Sequence, residues 1–167
     1  MKKTSLLFAF LISTLFSVAQ QKDVVDIVIG SKDHTTLIAA VKASGLVETL
    51  KGAGPFTIFA PTNAAFDKLP AGTVEGLLNP EAKDALTSVL TYHVIAGKID
   101  AASVVKAIKS GKGKATLTTL NGATLTARLK GDKVIITDSK GNTSVVIATD
   151  LKGSNGIIHV IDTVLMP

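Results

Sequence analysis

The sequence predicts an α+β domain on three observations. Helical spacing recurs up to about Ser110, a period of two takes over from Ala115, and the helices come mostly first and the strands mostly last instead of alternating as in βαβ units. The chain has 167 residues, 46% of them hydrophobic, and no cysteine. That length and composition suffice for one well-buried core. The missing thiols exclude a disulfide scaffold, a thiolate metal site, a cysteine nucleophile, c-type haem attachment and a lipid-modified N-terminal Cys.

At the N-terminus, Lys2 and Lys3 precede an apolar run from Leu6 to Phe16, and Ser17-Val18-Ala19 fits a small-x-small cleavage site. Residues 1–19 therefore read as a secretory signal peptide. The run is shorter than the roughly 20 residues that span a bilayer. Residues 20–167 are expected to form one soluble domain, secreted or periplasmic, with no membrane span. Cleavage would remove two lysines and lower the formal charge from +5 to +3. With Phe56, Phe59, Phe66 and Tyr92 as the remaining aromatics, a stacking platform for nucleic acid is not expected.

Each element has a local cause. Between Val24 and Lys51, Leu37, Ile38 and Val41 and then Leu46, Val47 and Leu50 each share a face, which predicts two short helices with Asp33 as a cap and Gly45 as a terminator. Phe56 to Ala60 is a compact apolar strand stopped by Pro61, and Thr62 caps a short helix through Phe66. Asn79-Pro80-Glu81 starts the next helix, because Asn caps, Pro suits the first turn and Glu favours the positive end of the dipole. It gives way to an extended Tyr92 to Ile95. Asp100 caps a helix whose Ala101, Val104, Val105 and Ile108 form one stripe before Gly111. Asn121-Gly122 accepts the positive φ angles of a tight hairpin. The β-branched runs Lys133 to Thr137, Ser144 to Thr149 and Ile157 to Leu165 complete the strands.

The residues offer little chemistry. His34, His93 and His159 are not at metal-ligand spacing, no phosphate loop occurs, and Ser154 lies in Gly153-Ser154-Asn155-Gly156, which is a turn. No enzyme activity, metal or cofactor is expected. The lysines from Lys106 to Lys114 read as a solvated helix face, and His159, on the same face of its strand as Ile157 and Ile161, as a hydrogen-bonded core residue. Tyr92-His93, flanked by Leu90, Val94 and Ile95, either closes the core or offers an amphipathic contact.

Three segments together resemble the fasciclin-like domain: Gly54 to Phe66, Tyr92 to Gly97 and Asn155 to Asp162, in matching order and spacing. The likeness covers residues 24 to 167. It implies a wedge-shaped β-sandwich with several short helices along one edge, and structural roles for Asn63 and His159. It also implies a secreted module for adhesion or attachment to an extracellular or cell-surface protein or polymer. In some animal members a Tyr-His element and an Asp-Ile element are linked to integrin binding. The corresponding positions are Tyr92, His93, Asp150 and Leu151, with Leu151 in place of Ile and Ala148-Thr149 before Asp150, so the animal motif is not intact. These four are the candidate contact residues, the apolar ones as anchors and the polar ones for direction. Family members that carry apolar pigments imply an alternative, a carrier of a small apolar ligand.

Overall fold

The computed structural model describes residues 21–167, so the signal-peptide reading of residues 1–19 lies outside the described residues. Helices come first. α1 (Val24–Ile29), α2 (Thr35–Ser44) and α3 (Val47–Lys51) precede strand β1 (Phe56–Pro61), and α4 (Asn63–Asp67), α5 (Thr73–Leu78) and α6 (Lys83–Tyr92) lead into β2 (Val94–Ala96). After α7 (Ala101–Ser110) come β3 (Lys114–Thr118), β4 (Thr124–Lys130), β5 (Lys133–Thr137), β6 (Thr143–Gly153) and β7 (Gly156–Ile161). The α+β class holds.

The local signals act where they stand. Asp23, Thr62 and Asp100 each accept a backbone N–H at the start of a helix, and Gly45 ends α2 with a φ of 78° that an L side chain rarely adopts. Asp33 does not cap α2. Its place is taken by Asn63, whose Oδ1 accepts the Thr36 N–H at 3.1 Å while its Nδ2 donates to Lys32 O at 3.1 Å. Three helices and a 3₁₀ turn at Lys32–His34 replace the two helices expected between Val24 and Lys51. Tyr92 is the last residue of α6 instead of the first of a strand, since the His93 N–H still bonds Leu90 O. β7 stops at Ile161 because the Asp162 carboxylate turns back to accept the Val145 N–H at 2.8 Å.

The strands run β2-β1-β7-β6-β5-β4-β3 in one sheet. β1 and β7 pair in parallel, Phe56 beside Gly156 and Pro61 beside Ile161, and the other pairings are antiparallel. β6 turns the corner: its first residues pair with β5, and two register shifts then carry it along β7. Such bulges bend a strand and increase its twist. The sheet curls until its edges almost meet, with an isolated bridge between Ile95 and Thr119 and a bond from Leu120 N–H to Val94 O at 2.8 Å. The pairing thus describes one nearly closed sheet, where the resemblance implied a two-layer sandwich.

Two cores result. Inside the curl lie Phe59, Ile95, Leu125, Ile136 and Ile161, with Val104 and Ile108 of α7 packed among them. On the opposite face of β1 and β7, Ile58, Ala60 and Ile158 meet α1, α2 and α6. β1 and β7 are therefore covered on both faces, which explains why they read as continuous apolar runs.

Candidate functional site

Tyr92 and His93 end α6, where they close the two cores. Tyr92 is fully buried, its hydroxyl accepting the Ser139 N–H at 3.0 Å and donating to Thr124 O at 3.3 Å. His93 Nδ1–H donates to Val89 O at 2.8 Å, and Nε2 accepts the Leu165 N–H at 3.0 Å. A carbonyl only accepts and an amide N–H only donates, so these two bonds fix the neutral ring with its proton on Nδ1. Burial, offset in part by the Val89 bond and the Asp138 carboxylate, pushes its pKa down to about 4. Both rings are spent on the fold. Both side chains, expected as contact residues, are buried, and their polar atoms hold the 139 turn and the C-terminal segment in place.

Asp150 and Leu151 lie on the bulged part of β6. Asp150 has a φ of 59°, an uncommon conformation that Asp tolerates better than most L residues. Its Oδ1 accepts the Ala101 N–H at 2.9 Å, so it serves a free amide at the head of α7 beside the Asp100 cap. His159 completes the link, accepting the Asp150 N–H on Nδ1 at 3.4 Å and donating from Nε2 to Ile99 O at 2.8 Å. Asp150 therefore locks α7 onto β6, and Leu151 beside it is 40% exposed.

Sequence reasoning missed Ile147, which is 54% exposed. The signal was present, because Val146 fills the core and strand alternation then turns Ile147 outward. Ile147 lines a surface hollow of about 330 Å³ between α7 and β6, with Ala101, Val105, Val146, Asp132 and Lys133. Ile147, Asp150 and Leu151 thus share the bulged stretch of β6, with Ile147 in the hollow beside α7, Asp150 bonded to the head of α7 and Leu151 opposite Ile158, whereas Tyr92 and His93 lie inside the fold.

A second concavity lies between α1, α2, α3 and β1. Val24, Val28, Ile38, Val47 and Ile58 line it with almost no polar surface, but its volume is about 40 Å³. Ligand sites usually occupy roughly 300–1,000 Å³. A pigment does not fit unless the helices part.

A family model, described as Fasciclin domain, matches residues 32–167. The chain belongs to the fasciclin family. Fasciclin domains are known as extracellular, adhesion-related modules. Among curated proteins, the chain is 51% identical over 144 residues to Protein sll1483 of Synechocystis, covering 86% of this chain and 73% of that one. It is 41% identical over 138 residues to Immunogenic protein MPB70 of Mycobacterium bovis, covering 80% and 63%. With Cell surface glycolipoprotein MPB83 of the same species it shares 42% over 122 residues, covering 73% and 48%. The fold is also similar to the solved domain pair of the insect cell adhesion molecule Fasciclin I, with a TM-score of 0.59 and 23% identity over 75% of this chain and 42% of that one. No helix among the described residues is long and apolar enough to cross a membrane.

Proposed function

We propose that this fasciclin domain is a secreted or periplasmic binding module that attaches to an extracellular protein or surface polymer through the face where β6 meets α7. The observation that carries this reading is the exposure of Ile147 and Leu151 within one bulged stretch of strand, at 54% and 40%. Two such side chains on one strand offer apolar area that a partner would desolvate on binding. Asp150 beside them fixes α7 to β6. Tyr92 and His93 act as positioning residues, since they tie down the sheet from inside.

Two further supports come from sequence and relatives. The sequence of residues 1–19 reads as an export leader, and a similar mycobacterial protein is described as a cell surface glycolipoprotein. Carriage of a small apolar ligand has an apolar cleft in its favour and the cleft's small volume against it. Hydroxyl-radical footprinting of the protein bound to envelope fractions of its own host tests the reading. Ile147 and Leu151 should be protected. Protection confined to the α1–α2 cleft would support carriage, and no change at β6 would refute the attachment face.

A further inference from the structure

A row of threonines crosses the outer face of the curled sheet. Thr116 pairs with Thr126, Thr126 with Thr137, and Thr137 with Thr143, so four neighbouring strands each contribute one. Leu117, Leu125, Ile136 and Ser144, alternating with them, are buried, which turns the threonines outward, Thr116 and Thr143 exposed and Thr126 and Thr137 half-buried. At ~4.8 Å per strand the row runs about 14 Å. No side-chain hydrogen bond within the described residues uses these hydroxyls, whereas Thr119 next to them bonds Asn121 and Ala123.

A basic row lies beside it. Lys114 stands directly opposite Arg128, and Lys130 opposite Lys133, all four exposed. Among the described residues ion pairs involve only Lys51 and Lys68, so this row is unneutralised. Asp132, in the β4–β5 turn, is the acid nearest in sequence. Like charges opposite one another destabilise a sheet. A partner of opposite charge removes that cost. Arg128 is the chain's one arginine, and its planar fork suits carboxylate or sulfate.

We propose that the outer face of β3, β4 and β5 binds a linear anionic polysaccharide, with Lys114, Arg128, Lys130 and Lys133 holding its acidic groups and the threonine row its hydroxyls. Charge has to dominate here. Tyr92 and Phe59 are buried, so the face has no exposed ring on which a neutral sugar would stack. The only apolar residues in the paired rows are Ile135 and Val145, both half-buried, which leaves little to insert into a membrane. This site is separate from the attachment face of β6 and gives the module a second, chemically defined partner.

Calorimetric titration of the purified protein with alginate, a linear polyuronate, tests it, with neutral dextran and phosphatidylglycerol vesicles as comparisons. Alginate should bind and weaken as NaCl rises. Lys114→Gln with Arg128→Gln should weaken binding about tenfold or more, with a Tm no lower than wild type because the repulsion is gone. Thr126→Val with Thr137→Val, which keeps the shape and removes two hydroxyls, should weaken it several-fold. Ile147→Ser with Leu151→Ser should leave alginate binding intact, so failure of the attachment face would be seen separately. The proposal is overturned if alginate binds no better than dextran, if the vesicles bind in its place, if the charge variant binds as well as wild type, or if the β6 variant abolishes binding.

Discussion

Protonating His93 should cost the fold its tie to the C-terminal segment, and the cost can be worked from the structure. Nε2 accepts the Leu165 N–H in the interior, so a proton on that atom sets two donors against each other where water cannot intervene. The folded pKa is about 4, against about 6.5 in the unfolded chain. Between those values the unfolded state holds more protons than the folded state, so stability falls as the solution is acidified. The contribution is fully present above pH 6.5. Linkage makes the loss about 2 kcal/mol at pH 5 and about 3 kcal/mol at pH 4. His34, whose pKa burial also lowers, adds loss of the same sign. Asp26, Asp100 and Asp162 are held below their ordinary value near 3.8 and act mainly at lower pH. Urea unfolding at pH 7, 6, 5 and 4 should show the decline in wild type and a much flatter profile in His93→Gln, which starts from a less stable fold. A wild-type profile that is flat over this range, or an NMR titration placing His93 near 6.5, would refute the reasoning.

The other predictions concern contacts that sequence spacing alone does not expose. Gly156→Ala would drive a Cβ into the Phe56 carbonyl across the parallel β1–β7 pair, and should lower stability by about 1–3 kcal/mol in chemical denaturation. Asn155→Ala removes the acceptor for Val24 N–H and the donors to Leu50 O and Gly52 O, and should cost about 2–4 kcal/mol with the first helices loosening in hydrogen exchange. Asp150→Ala loses the Ala101 bond and keeps the positive φ, whereas Asp150→Gly loses the bond alone. The Ala variant should therefore melt below the Gly variant, both below wild type.

Local chemistry made much of the fold legible. Caps at Thr62 and Asp100, the turn at Asn121-Gly122 and the stripe of α7 depend on residues within a few positions of one another. What escaped was non-local or weakly patterned. The cap of α2 arrives from Asn63, and the parallel pairing joins β1 to β7 across most of the chain. α5 buries no residue fully and so leaves no apolar stripe to read. For the site, Asp150 and Leu151 lie where a contact face can form, but Tyr92-His93 does not. Its neighbours Leu90, Val94 and Ile95 are all core residues, and they draw both rings inward. Ile147 was readable from alternation once Val146 was known to be buried.

The most direct test of the proposed attachment face is equilibrium binding of the labelled protein to cells of its own host, at a salt concentration that screens the basic face of β3, β4 and β5, comparing wild type, Ile147→Ser with Leu151→Ser, and Tyr92→Phe. Melting curves for all three separate loss of the face from loss of the fold. The β6 double variant should keep its Tm and lose most binding, because both side chains are already in large part exposed. Tyr92→Phe should lose stability by about 1 kcal/mol through the Ser139 and Thr124 bonds and bind normally while folded. Undiminished binding by the folded double variant, or lost binding by folded Tyr92→Phe, would contradict it.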